Sequence, residues 1–287
     1  MRSSFVSHAR LILTAALIAA AAYGQTPSPA PAPEPEMLNS VLWAQTSVEH
    51  DAAYLQAYRL ARIMLDRARA DRSWSAALEQ TSGFQRLPPA VILDLDETAL
   101  DNSPEEAEQV IAGNRTNLWE DWVRQERATA LPGALEFLRY AQSRGVTLFY
   151  VSNRAAAEKE ATRRVLVKLG FPLDPKVDTL YFRGEKPEWG SDKGPRRAAI
   201  AAKYRILLLI GDDFGDFLSG VRVSVEARRK LAAEHASYWG ERWIVLPNPM
   251  YGSWDSTMYG FDTKMSYADQ LKRKREYLRP MSSPEKK

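Results

Sequence analysis

The sequence predicts an α/β fold, a Rossmann-like parallel sheet with helices on both faces. Three observations predict it. Five short apolar runs follow residue 90, at 91–93, 146–151, 179–182, 206–210 and 243–246. Helical stretches at 133–143, 155–169 and 193–203 separate most of them. The runs are apolar throughout rather than alternating, which is the pattern of strands buried on both faces. In such sheets ligands bind beyond the carboxyl ends of the strands.

The elements follow in chain order. Arg2 and Arg10 precede an apolar run at 11–22, and Ala22-Tyr23-Gly24 supplies small residues for a cleavage site. Residues 1–24 are therefore expected to be a secretory signal peptide. The run is too short and too Ala-rich for a comfortable membrane span. Residues 25–37 contain T-P-S-P-A-P-A-P-E-P-E and are expected to form an extended Pro-rich linker. One domain is expected at 38–270, opening with a helical part at 38–85. Within it, 38–70 reads as helix, with Ser47 as an N-cap. Tyr54, Ala57, Tyr58, Ala61, Met64 and Leu65 recur at helical spacing and are expected to pack on the main body. Pro132 fits the first turn of the 133–143 helix, and Gly145 and Gly170 fit helix stops. Residues 103–130 are expected to be a small cap-like insertion, and 271–287 a basic flexible tail.

Composition narrows the function classes. The chain has 287 residues, a net charge of +3 and no cysteine. The absence of Cys excludes thiol chemistry, disulfides and Cys-ligated zinc, and leaves nothing to lipidate as a membrane anchor. Only His8, His50 and His235 are present, and His8 lies in the leader. Lys and Arg are scattered, whereas binding a nucleic-acid polymer calls for a concentrated basic stripe.

The chemistry gathers at the strand ends. The first run ends in Asp94-Leu95-Asp96-Glu97-Thr98, the second in Ser152-Asn153-Arg154, and the fourth in Gly211-Asp212-Asp213-Phe214-Gly215-Asp216. Lys193 starts a helix in S-D-K-G-P-R-R. Asp94, Asp96 and Asp212 gathered at one sheet edge would repel. A divalent cation relieves that repulsion, and oxygen ligands without His or Cys favour a magnesium-like ion. A cation, a Lys, a Ser hydroxyl and amides at helix starts together suit a phosphate. One carboxylate can attack phosphorus, and the other can move a proton to and from the reacting oxygens.

These residues resemble the four motifs of the haloacid dehalogenase superfamily of phosphohydrolases. The stretches D-L-D-E-T-A-L-D-N-S-P, F-Y-V-S-N-R, G-D-D-F-G-D-F and L-P-N-P-M-Y-G-S-W are similar to the class C acid phosphatases, also called lipoprotein-type 5′-nucleotidases. So is W-A-Q-T-S-V-E-H-D-A-A-Y-L-Q-A-Y near the N-terminus, and the likeness spans about residues 38–262. It implies the haloacid dehalogenase fold and a Mg²⁺-dependent phosphatase domain at 38–270. It further implies that Asp94 is nucleophile and metal ligand, and that Asp96 is general acid/base and ligates through its carbonyl. Asp212 would be the third ligand, with Asp216 in support. Ser152, Asn153 and Lys193 would hold the phosphoryl oxygens, and Thr98 would orient the Asp94 loop within the substrate-binding group. Trp122 and Tyr251 are expected to clamp a ring of the substrate, whereas Trp119 and Trp254 are expected to be packing residues.

Two departures from the family stand out. The lipidation Cys is absent, and Glu105 and Glu106 follow D-N-S-P where an aromatic is usual. The expectation is a periplasmic or secreted acid phosphatase taking a small phosphomonoester such as a nucleotide, with the oligomeric state open. The alternatives are a phosphotransferase to an alcohol acceptor and a non-catalytic binding protein on the same fold.

Overall fold

The fold is described from a computed structural model covering residues 36–112 and 118–281. The expected signal peptide, nearly all of the linker, residues 113–117 of the insertion and residues 282–287 of the tail lie outside these. Two helices come first, α1 (Leu38–Thr46) and α2 (Val48–Ala70). The helix expected over 38–70 is thus two, broken at Ser47. Ser47 is extended (φ −87°, ψ 135°) and its hydroxyl accepts from the His50 N–H. A residue serving as an N-cap cannot also continue the preceding helix. Glu49 and Asp51 fill the first turn of α2, and Arg67 and Arg69 the last, which suits the helix dipole.

The core is a five-stranded, all-parallel sheet. Its strands are β1 (Pro89–Leu93), β4 (Thr147–Ala155), β5 (Leu180–Arg183), β6 (Arg205–Gly211) and β7 (Trp243–Val245), in the order β5-β4-β1-β6-β7. A short antiparallel ribbon pairs β2 (Leu100–Asp101) with β3 (Thr129–Ala130). The remaining helices are α3 (Ser103–Ile111), α4 (Trp119–Gln125), α5 (Ala134–Ser143), α6 (Lys159–Leu169), α7 (Gly194–Ala201), α8 (Val225–Glu234), α9 (Ser253–Ser256) and α10 (Tyr267–Arg275). None of the described helices is long and apolar enough to cross a membrane.

Successive residues of the central strand serve opposite faces. Val91 and Leu93 join a cluster with Tyr54, Tyr58, Leu65, Phe137 and Leu166, from α2, α5 and α6. Ala90 and Ile92 join another with Ala76, Ile200 and Phe217, from α7 and neighbouring loops. The two-residue period of a strand explains the split. Helices do cover both faces, as the uniformly apolar runs predict.

Several boundaries differ from the sequence reading. β4 runs on through Ser152, Asn153 and Arg154, because Ser152 and Ala155 pair with Phe182 and Arg183 of β5. Pro132 lies outside α5, whose N-cap is Gly133 in the left-handed region. Gly170 caps α6 with positive φ as expected. Residues 271–275 of the expected tail belong to α10 (Tyr267–Arg275), capped by Ser266, and its four basic residues Lys272–Arg275 fill the last turn.

α2 does more than cover the sheet. The Tyr58 hydroxyl donates to the Thr98 carbonyl (2.7 Å), and the Tyr54 hydroxyl donates to the carbonyls of Glu97 (2.5 Å) and Pro247 (3.1 Å). These bonds pin the loop after β1 to the helical layer. Tyr58→Phe is expected to lower unfolding free energy by about 1–2 kcal/mol, since a buried carbonyl loses its donor. A urea midpoint within error of the parent chain would show that the bond carries nothing.

Candidate active site

β1 is central, with Leu93 paired to Tyr150 of β4 on one side and Ile210 of β6 on the other. The residues after β1 therefore emerge between the ends of β4 and β6. Asp94 is the first, and its N–H donates to the Ile210 carbonyl (3.0 Å). The chain then turns sharply. Glu97 takes left-handed φ (49°), and Leu100 N–H returns to the Leu95 carbonyl (2.8 Å). The buried Glu97 carboxylate accepts from the Asn102 N–H (2.9 Å) and closes the turn. Burial pushes its carboxyl well above the usual range.

The turn sends the two aspartates to different neighbours. Asp94, Asp212 and Asp216 bring carboxylate oxygens within 4.8 Å of one another. Lys193 Nζ lies between two of them, 2.6 Å from Asp216 Oδ1 and 2.7 Å from Asp94 Oδ1. Asp96 instead meets Arg154, whose Nη2 (2.7 Å) and Nε (2.9 Å) both donate to Oδ1. Asn102 Nδ2 also donates to Asp96 Oδ1 (2.9 Å), and Ser152 Oγ to Oδ2 (3.2 Å).

Electrostatics sort the groups further. Burial pushes the Asp94 carboxyl up to about 7; Asp216 and Asp96 add to the rise, while Lys193 opposes it. Burial, then Asp216 and Asp94, raise Asp212 well above the carboxylate range. Burial also raises Asp216, against the pull of Lys193. Burial opposes the charge on Lys193, yet Asp216 and Asp94 outweigh it and hold the ammonium protonated. Asp94 Oδ1 takes its polar contact from the Lys193 ammonium at 2.7 Å. Three desolvated carboxylates around one ammonium, with no His or Cys among them, fit a hard divalent cation.

Supporting residues fix this arrangement. Thr98 Oγ1 donates to Asp212 Oδ1 and Asn248 Nδ2 to Asp212 Oδ2, each at 2.9 Å. Asp213 N–H donates to Asp216 Oδ2 (2.9 Å). Gly211 allows the Asp216 side chain to lie against the backbone, because a Cβ there would fall 2.5 Å from Asp216 Cβ. Arg196 Nη1 donates to the Ser152 carbonyl (2.5 Å), and its Nη2 to Asn153 Oδ1 (2.6 Å). Arg197 Nη1 donates to the carbonyls of Gly215 (3.0 Å) and Asp216 (3.2 Å). One short stretch, 193–197, thus binds the ends of β1, β4 and β6 together.

These groups open into a cleft of about 940 Å³. Asp94, Asp96, Asn153, Lys193, Asp212, Asp216 and Tyr251 of the expected set line it. Ser152 is fully buried beneath it and bonded to Asp96. Two expectations need correction. Thr98 is fully buried and spends its hydroxyl on Asp212, so it orders a carboxylate rather than touching substrate. Trp122 is buried in the core, with its indole N–H donating to Asn102 Oδ1 (2.8 Å). Trp119, one turn earlier on α4, lines the cleft instead, with the Arg154 guanidinium 5.1 Å from its ring. Trp254 is exposed, and its indole N–H donates to the carbonyls of Asn248 and Tyr251.

Sequence reasoning missed Arg154, Asn102, Asn248, Arg196 and Arg197. All five lie in or beside stretches already marked for chemistry. Paired arginines at a helix start carry no signal of burial, and only the fold shows them fully enclosed.

A family model described as HAD superfamily, subfamily IIIB (acid phosphatase) matches residues 24–254. The class C acid phosphatase of Bacillus anthracis is 34% identical, with a TM-score of 0.74 over 85% of this chain and 97% of that one. The same enzyme with tungstate bound gives 33% identity and a TM-score of 0.74. The stem 28 kDa glycoprotein of Glycine max is 27% identical over 173 residues, which is 56% of this chain and 58% of that protein. The chain thus spans less than two thirds of the length of the curated relative it matches. Fold, strand-end carboxylates and family match agree: the chain belongs to the acid phosphatases of HAD (haloacid dehalogenase) superfamily subfamily IIIB.

Proposed function

We propose that this chain is an exported, Mg²⁺-dependent phosphomonoesterase that works through an aspartyl phosphate on Asp94. The observation that carries this reading is the Asp94–Asp212–Asp216 cluster around Lys193, opening into the cleft. Asp94, Asp212 and Asp216, with the Asp96 carbonyl, would hold the cation, whose charge offsets that of the carboxylates and of the phosphoryl oxygens.

The residues then divide the labour. Lys193 attracts the phosphoryl group and holds Asp94 in place. Asn153, fixed by Arg196, presents its amide to a phosphoryl oxygen. Asp94 attacks phosphorus, the bond to the leaving oxygen breaks, and Asp96 supplies that oxygen with a proton. Water, giving its proton to Asp96, attacks the aspartyl phosphate. The bond between Asp94 and phosphorus breaks, and inorganic phosphate leaves. For these transfers Asp96 must leave the two-pronged grip of Arg154, so Arg154 positions the proton carrier between turnovers. Tungstate, the ligand of the Bacillus anthracis relative, is a tetrahedral oxyanion like phosphate, which supports a phosphoryl site in this family. The aromatic rings on the cleft, Trp119 and Tyr251, suit the ring of an aryl ester or a nucleotide. The signal-peptide-like sequence at 1–24 supports export to the periplasm or medium.

The test is phosphate release from p-nitrophenyl phosphate and 5′-nucleotides by the purified chain, with EDTA and after adding Mg²⁺ back. Release is expected only with the metal, and EDTA is expected to lower it at least about a hundredfold. Equal rates with and without EDTA would overturn the metal-dependent reading.

A further inference from the structure

The cleft carries more negative charge than the proposed reaction uses. α3 places Glu105, Glu106 and Gln109 on one side of the helix, and all three line the cleft. The two glutamates lie in its first turn, where the helix dipole favours anions. First-turn glutamates that serve only the dipole stand in solvent. These do not, since Glu105 is 3% exposed and Glu106 is 8% exposed.

Their hydrogen bonding differs. Gln109 Nε2 donates to both Glu105 oxygens at 2.9 Å. Glu106 has no side-chain partner among the described residues; burial first, and Glu105 second, push its carboxyl up to about 7. Its carboxyl is open to the cleft, where a ligand carrying a charged donor can replace water. Glu120 also lines the cleft, whereas Glu158 accepts from the Ala155 N–H and the Trp119 ring is faced by the Arg154 guanidinium. Glu105 and Glu106 have no cationic partner among the described residues and suit an ammonium group, through charge-assisted hydrogen bonds. They disfavour an anionic or purely apolar leaving group.

We propose that Glu105 and Glu106 form a subsite for a cationic leaving group, so that ammonium-bearing phosphomonoesters, esters of amino alcohols, are preferred. This rests on the phosphatase reading and deepens it. The phosphoryl group sits at Asp94 and Lys193, and the ammonium end points to the α3 wall. Glu106 supplies an acceptor open to the cleft, while Glu105 is fixed by Gln109 and adds charge. The pair determines specificity and does not touch the reacting bonds.

The experiment compares kcat/KM for ethanolamine phosphate, whose ammonium carries N–H donors, with that for its neutral isostere, n-propyl phosphate, using p-nitrophenyl phosphate as the activity control. The pair differs in charge and hardly in shape. The parent chain is expected to favour the cationic ester at least about tenfold. In Glu106→Gln and Glu105→Gln the ratio of the two esters is expected to fall about tenfold. Free ethanolamine is expected to compete with substrate better than 1-propanol does, an effect independent of turnover. Equal kcat/KM for the two esters, with p-nitrophenyl phosphate still cleaved, would overturn the subsite and leave the phosphatase reading standing. A preference that survives both substitutions would overturn the assignment to α3. No cleavage of any ester would overturn the phosphatase reading itself.

Discussion

Asp94→Asn is expected to lower phosphate release at least about a thousandfold, because the amide cannot form the aspartyl phosphate. The substitution changes charge and little else. Asn has the same shape, and Lys193 keeps its 2.6 Å contact with Asp216. The fold is therefore expected to survive, and its stability to change in a telling way. Asp94 titrates at about 7 in the fold against an ordinary 3.8. Between those values the folded chain binds more protons than the unfolded one. Linkage then makes the metal-free chain lose stability as pH rises from 3.8 toward about 7. Asp94→Asn removes one group from that titration, so the fall of melting temperature with pH is expected to become shallower. Adding Mg²⁺ to the parent chain is expected to raise the melting temperature most at the upper end of the range, where the carboxylates are charged. Thermal unfolding of both chains across pH, with and without Mg²⁺, checks the sign. A metal-free parent chain that gains stability as pH rises through this window would refute the electrostatic description of the cluster.

Lys193→Met is expected to damage both stability and activity. The ammonium is buried between Asp94 and Asp216, and its loss leaves two buried carboxylates uncompensated. Removing one partner of a buried pair costs about 3–5 kcal/mol, so the urea midpoint of the metal-free chain should fall markedly. Excess Mg²⁺ is expected to recover part of the stability, since a cation at the same carboxylates offsets their repulsion. It is not expected to recover turnover. In the proposed mechanism Lys193 also meets the phosphoryl oxygens, and losing such a contact costs about 10²–10³ in rate. Full activity in Lys193→Met with saturating Mg²⁺ would remove Lys193 from the phosphoryl site and leave it as a structural counter-ion.

Much of this was legible in the sequence. The uniformly apolar runs gave away a sheet buried on both faces, and the polar residues at their ends marked the cleft. Asp94, Asp96, Lys193, Asp212 and Asp216 could be singled out because their types suit one chemistry in one chain order. The failures have physical causes. Ser47 was readable as a cap, but capping and helix continuation are mutually exclusive at one residue, so the first helix splits in two. The apolar run at 146–151 was read as ending in Ser152-Asn153-Arg154, yet β4 runs on and pairs with β5 beyond Ser152. Thr98 sits in the motif but turns to Asp212, a choice made by the tight 95–100 turn. Trp119 and Trp122 differ by one helical turn, and no periodicity says which faces core and which faces cleft. The Asn102 acceptor decides, since it satisfies the Trp122 indole in the interior. The burial of Arg154, Arg196 and Arg197 depends on carbonyl and carboxylate partners from distant segments, which local pattern cannot show.

Covalent chemistry at Asp94 is the central claim, and rapid acid quench of the turning-over, Mg²⁺-loaded chain tests it most directly. Peptide mass spectrometry of the quenched protein is expected to find a phosphoryl adduct on Asp94, absent from Asp94→Asn and from samples quenched before substrate is added. Turnover with no adduct at any quench time, or an adduct on another residue, would contradict the account.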